Sequence, residues 1–419
     1  MSNLRCFGKL FTSFLLKRLN HYSEQFSVLN ESQCGFRKGY STVDNIFVLH
    51  SFFELIKLKK KKLFAAFVDF KKAFDTVWRD ALWSKLLINN INGKMYNVIY
   101  NMYQNIKSRI VYNGKVSNYF DCNNGVRQRE NLSPFLFSLY LNDLEQFLDE
   151  NNAIGLISLT EDLEQELDTY LKFFILLYAD DTVILAESSD DMQNQINYFY
   201  DFCKKWRLKV NIEKSKVLVF SNGRLPNNIK FNYNDKELKI VAHFSYLGIV
   251  FSKTGSFNIA KKELVNKGIK AMYEVLRKGR IHNLSIKCQL DLFDKIVKPI
   301  LLYGCEIWGF GKNDIIERVH LKFCKLLLRL KVSTPNFMVY GELGRYPLEI
   351  DIKVRMISYW CKLIQGKQSK LSTIAYKLLY VKNFKNCKIS AWINHIHKIL
   401  NDSGMSYIWT LKIVYLKNG

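Results

Sequence analysis

Proline is scarce in this sequence, with five in 419 residues, and no stretch is rich in glycine and serine, which argues against a long flexible linker. Nine cysteines are scattered from Cys6 to Cys387, and no two of them form a CxxC pair. That spacing suits reduced thiols in a cytoplasmic or nuclear protein better than a disulfide framework, and it argues against a paired-thiolate zinc frame. Cys387 with His395 and His397 lacks the paired spacing of a zinc site for the same reason. No uninterrupted apolar run reaches membrane-spanning length, because Asp, Glu, Lys or Gly breaks each one, so a soluble protein with no membrane partner is expected. Acid is the scarcer charge: 38 Asp and Glu stand against 62 Lys and Arg, a net charge of +24, and the first acidic residue is Glu24. A surface this basic attracts polyanions in a salt-dependent way, although charge alone does not distinguish a nucleic-acid binder from a basic protein kept in solution. With 48% hydrophobic residues, the chain can bury cores in about two or three domains.

What is present is organised around residues 173–186, two short apolar runs, Phe173-Phe174-Ile175-Leu176-Leu177-Tyr178 and Thr182-Val183-Ile184-Leu185-Ala186, that flank Ala179-Asp180-Asp181. The pattern predicts two buried strands joined by a tight turn with the acids at its tip. Aspartate is common in turns, and an exposed acidic turn is the plain alternative. Adjacent carboxylates between buried strands repel one another and are expensive to desolvate, so a compensating cation is expected. Oxygen-only donors select a hard divalent ion such as magnesium. Asp69 strengthens this reading, since it is the only charged residue in Leu63-Phe64-Ala65-Ala66-Phe67-Val68-Asp69-Phe70, otherwise a continuous buried-strand pattern. A carboxylate at the end of each of two neighbouring strands is the arrangement that holds two metal ions for phosphoryl transfer.

Three spaced motifs carry a family resemblance: Phe67-Val68-Asp69-Phe70-Lys71-Lys72-Ala73-Phe74-Asp75, then Gly125-Val126-Arg127-Gln128 through Leu132-Ser133-Pro134, then Tyr178-Ala179-Asp180-Asp181. In this order they resemble the first palm motifs of reverse transcriptases, most closely those of non-LTR (LINE-type) retrotransposons, and the resemblance runs from about residue 2 to about residue 345. It implies an α+β right-hand polymerase with an antiparallel palm sheet packed on helices. On that plan residues 1–257 are the polymerase domain, with fingers to about 62 and palm over 63–257, and residues 258–419 form a helical thumb and connection. The implied activity is RNA-directed DNA synthesis, with an RNA template, a DNA primer and deoxynucleoside triphosphates as partners. Asp69, Asp180 and Asp181 would hold two magnesium ions. Lys214, with Lys216 a close second, would protonate the departing pyrophosphate, although a solvated lysine pair fits the residues equally. Phe74 would be the steric gate against a ribose 2′-hydroxyl, or plain core, while Phe70, Gln128 and Arg37 would line the nucleotide, Arg37 from a glycine-punctuated loop at 33–42.

Two features cut against this pattern. Residues 3–19 match only the second half of an early fingers motif, so the chain is expected to begin inside the fingers and to lack an endonuclease module. Arg129 stands where the family typically has a glycine that lets backbone approach the nucleotide, and a long side chain there would obstruct it. A catalytically inactive, basic nucleic-acid-binding remnant is therefore the alternative. No RNase H-like acidic cluster or zinc knuckle is visible.

Local signals complete the plan. Helices are expected over 43–57, 75–87 and 135–148, and another to about 207 opened by a capping box at Ser188 and Asp191. Asn113-Gly114 marks a hairpin, residues 217–220 a strand, 244–249 a second tight hairpin, and helices follow from about 258. The acidic stretch 149–170 reads as an exposed connection with a short helix.

Overall fold

The computed structural model of the chain describes residues 6–167, 175–221, 223, 229–386, 390–409 and 411; Phe173, Phe174 and Cys387 lie outside them. Two compact units do not follow chain order: one comprises residues 1–45 and 59–242, the other 46–58 and 243–419.

The first unit is built on five strands: β1 (Leu63–Val68), β2 (Ile175–Tyr178), β3 (Asp181–Ala186), β4 (Lys216–Phe220) and β5 (Ile240–Val241), in the order β5-β4-β1-β3-β2. All neighbours run antiparallel except β5, which lies parallel to β4. Every residue of β1 is buried, which explains its unbroken apolar sequence: it is the central strand, covered on both faces. Phe64, Ala66 and Val68 point to a core shared with Ile184 and Ala186 of β3, Val217 and Val219 of β4, and the helices. Helix Ser133–Tyr140 lies in that core with all but one of its residues buried, and helix Ser189–Lys205 contributes Met192, Ile196, Phe199 and Phe202.

The expected helix over 135–148 is instead two helices, Ser133–Tyr140 and Leu144–Glu150. The break falls at polar side chains with better partners elsewhere: Asn142 accepts from the amide of Asn30 and donates to the Val28 carbonyl, and Asp143 pairs with the buried Lys85. Likewise the helix expected from residue 75 begins later, as Arg79–Ile88, after a 3-10 turn at Ala73–Asp75. The N-cap of the expected capping box forms, the Ser188 hydroxyl accepting from the Asp191 amide at 3.1 Å and donating to the Asp191 carboxylate at 2.6 Å. At Asn113-Gly114 both residues have positive φ, 46° and 76°, the two-residue hairpin turn that Asn-Gly favours.

The second unit contains most of helix Thr42–Leu58, the expected hairpin (His243–Tyr246 with Ile249–Ser252, turned at Leu247-Gly248) and helices from Asn258–Ile281 onward. Trp308, Trp360 and Trp392 are fully buried there, with Trp392 tilted against Phe47 at 5.1 Å. Among the described residues, no helix is long and apolar enough to cross a membrane.

Candidate active site

Pairing of β1 with β3 sets Val68 opposite Thr182, so the next antiparallel step puts Asp69 opposite Asp181. Pairing of β2 with β3 ends at Tyr178 opposite Asp181, leaving Ala179 and Asp180 as the turn. Strand register alone therefore gathers Asp69, Asp180 and Asp181 at one end of the sheet. Burial raises the pKa of Asp180, and the charge of Asp69 adds to the effect. Burial raises Asp181 further, to about 6, with the charges of Asp180 and Asp69 adding to it. The residue itself keeps solvent contact, which screens part of that repulsion.

Asp69 is gripped by the segment before β4. Its amide donates to the Ser215 hydroxyl at 3.1 Å and its carbonyl accepts from the Asn211 amide at 2.7 Å, while Ser215 donates onward to the Asn211 carbonyl. The same segment brings the Lys214 ammonium to 3.9 Å from the Asp69 carboxylate, on an open side chain. Lys216 instead folds back onto the Glu213 carbonyl. The structure thus separates two lysines that the sequence left nearly tied.

The turn itself is strained and supported from a distance. Ala179 has φ 56°, a left-handed conformation that costs a non-glycine residue roughly 1–2 kcal/mol. Residues 32–35 lie along the free edge of β2: the Leu177 amide donates to the Ser32 carbonyl at 2.8 Å and the Cys34 amide to the Leu177 carbonyl at 3.0 Å. The buried Gln33 side chain then accepts from the amides of Ala179 and Gly35, each at 3.0 Å. Gly35 packs so closely that a Cβ there would stand 2.3 Å from the Ala179 nitrogen. Sequence reading missed Gln33 and Ser215, since their partners lie 146 residues away in the chain. Only the glycine-punctuated loop around Gly35 gave a local signal.

Other expected residues fall differently. Arg37 is a correction: it is buried and its donors are consumed by the Glu24 and Glu31 carboxylates and by the Asn30 and Gln33 carbonyls, so it braces its own loop and has no hydrogen left for a phosphate. The Phe70 ring is packed in the core against Phe137 and Phe199. Phe74 is half-buried on Phe137 at 5.2 Å, and its carbonyl accepts from the Val126 amide at 2.7 Å, which joins the first motif to the second. Gln128 donates to the Asp75 carboxylate at 2.8 Å, holding those motifs together on the surface. Arg129 is exposed with φ 61°, the conformation for which glycine is the natural choice.

The donor set suits a hard divalent cation: carboxylate oxygens repelling one another, with an amine beside them. Among the described residues, no group of three or more His, Cys, Asp or Glu side chains is gathered tightly enough to cage an ion unaided.

Comparison with known proteins identifies the family to which a chain with this sheet and these motifs belongs. The family model described as reverse transcriptase (RNA-dependent DNA polymerase) matches residues 1–251. The chain belongs to that family. The RNA-directed DNA polymerase from mobile element jockey of Drosophila melanogaster is 23% identical over 365 residues, covering 84% of this chain and 37% of that protein. The probable RNA-directed DNA polymerase from transposon BS of the same fly is 25% identical over 323 residues, covering 77% and 34%. The Pol polyprotein from type-1 retrotransposable element R2 of Popillia japonica is 27% identical over 311 residues, covering 72% and 48%. The retrotransposon kinship expected from the motifs therefore stands, and the chain spans about a third to a half of the length of these relatives. A telomerase structure from Candida albicans, in complex with a TWJ fragment of telomeric RNA, aligns with a TM-score of 0.42 and 12% identity over 93% of this chain and 58% of that one, a likeness too slight to bear on function.

Proposed function

We propose that the chain is an RNA-directed DNA polymerase that extends a DNA primer on an RNA template from deoxynucleoside triphosphates. The observation that carries this reading is the gathering of Asp69, Asp180 and Asp181 at one sheet end, where burial first, and then the neighbouring carboxylate charges, lift Asp181 to about 6. These carboxylates are the residues that would hold two magnesium ions. Bound magnesium supplies charge neutralisation at the triphosphate and acidifies the primer 3′-hydroxyl. The protein contributes position: Ser215 and Asn211 fix Asp69, Gln33 fixes the turn, and the Lys214 amine stands beside Asp69, within reach of a leaving pyrophosphate that needs a proton. Phe74, wedged on Phe137, offers a rigid edge suited to rejecting a 2′-hydroxyl. The names fingers (1–62), palm (63–257) and thumb (258–419), and a cytoplasmic or nuclear location, belong to the same proposal.

Primer extension on poly(rA)–oligo(dT) with magnesium tests it. The native chain is expected to incorporate thymidylate, and Asp181→Asn to lower the rate about a hundredfold or more. Arg129, exposed at a left-handed position, favours a second reading, the non-catalytic nucleic-acid-binding remnant. Duplex binding without incorporation by the native chain would select it.

A further inference from the structure

Between the first and second motifs, residues 107–121 form a two-stranded ribbon, paired as Lys107–Ser108 with Phe120–Asp121 and Val111–Tyr112 with Lys115–Val116. Every residue from 109 to 121 is exposed, on both faces of the ribbon, including Val111, Tyr112, Val116, Tyr119 and Phe120. A two-stranded ribbon with no covering layer is marginal in water, so so much aromatic surface calls for an occupant.

We propose that this ribbon is a stacking platform for single-stranded RNA, the template before it pairs with primer; the inference rests on the polymerase reading above. The side chains are of the right kinds. Tyr112, 74% exposed, stands opposite Lys115 across the strands, and the Arg109 guanidinium lies 5.3 Å from the centre of the Tyr119 ring, itself 63% exposed. Lys107, Arg109 and Lys115 outnumber Asp121, which gives the ribbon the sign that a phosphate backbone requires. Rings interleaved with cations suit unpaired bases, whose faces are open, and not a duplex, whose bases are already stacked. The base of the ribbon is tied to the catalytic end. Arg79 donates to the carbonyls of Tyr103, Asn124 and Gly125, clamping both ends of the ribbon, and the Gly125 amide donates to Val77, three residues after Phe74. A strand laid on the ribbon therefore arrives beside the motif that carries Asp69.

The test uses the full chain and a fluorescein-labelled 15-nucleotide oligouridylate, with affinity read by anisotropy at fixed salt and no nucleotide present. Tyr112→Ala with Tyr119→Ala is expected to weaken binding about tenfold or more. Lys107→Ala with Arg109→Ala and Lys115→Ala is expected to weaken it and to flatten its salt dependence. Extension of a primer whose template overhangs by a single nucleotide is expected to stay at the parental rate in both variants, which also shows that they fold. Affinity within twofold of the parent in both variants would overturn the inference. So would equal weakening for a blunt duplex, or a change from dimer to monomer at unchanged RNA affinity, which would make the ribbon a contact between copies. A native chain that holds oligouridylate through the ribbon yet never extends a primer leaves the platform standing and removes the polymerase reading.

Discussion

On the proposed mechanism, Asp181 is where proton and metal would compete for one carboxylate. Its raised folded pKa means that the folded chain takes up a proton before the unfolded chain does, so its contribution to stability is present at low pH and is lost as pH rises from the usual carboxylate range to about 6. Without divalent ions, Asp181→Asn is therefore expected to raise the melting temperature at pH 8 and to leave it nearly unchanged at pH 4, as thermal denaturation in EDTA would measure. With magnesium, incorporation by the native chain is expected to climb through pH 6. Gln33→Ala removes the buried acceptor of two amides, and about 1–3 kcal/mol of stability should go with it, together with faster hydrogen exchange at the Ala179 amide. The acids were legible in the sequence because charge inside an apolar run is conspicuous. Gln33 was not, because a glutamine in a loop announces nothing about the backbone it serves. Arg129 was noticed as a departure from the motif, but its backbone angle supplies the physical reason that glycine is favoured there. Arg129→Gly is expected to gain about 1 kcal/mol by relieving that angle and to raise incorporation about tenfold; a higher melting point at unchanged rate would confine its effect to the backbone.

Elements whose signal is local came out of the sequence well. The hairpin at Asn113-Gly114, the capped helix Ser189–Lys205, strand β4 and the hairpin turned at Leu247-Gly248 all formed where pattern put them. The misreadings share another cause, tertiary partners that overrode local preference. Asn142 and Asp143 break an apolar helix because Asn30, Val28 and Lys85 claim their side chains. Arg37 read as a phosphate ligand because a cation in a glycine-rich loop looks the same whether it faces solvent or a buried carboxylate. The docking of residues 32–35 on the edge of β2 is the element-scale feature most open to test. In Gly35→Ala the new methyl meets the Ala179 backbone, which cannot swing aside as a side chain end would. A loss of about 1–3 kcal/mol in urea denaturation and a parallel fall in incorporation are expected.

At the scale of the molecule, on the proposed function, the net charge of +24 would set how the chain meets nucleic acid. Its affinity for a primer–template duplex is expected to fall steeply between about 50 and 200 mM salt, and a flat logarithmic plot of affinity against salt would contradict that. The clamp on the acidic turn bears on how such a chain matures. Residues 32–35 leave the ribosome well before residues 177–179, and the contact between them spans most of a domain in sequence. Closing so large a loop is slow, which makes this contact a late event in folding. Until it closes, the Ala179 amide lacks its Gln33 acceptor, and strand pairing alone holds the acidic turn in place. The acidic turn of the nascent polypeptide would thus reach its final rigidity only when two segments 146 residues apart have found each other.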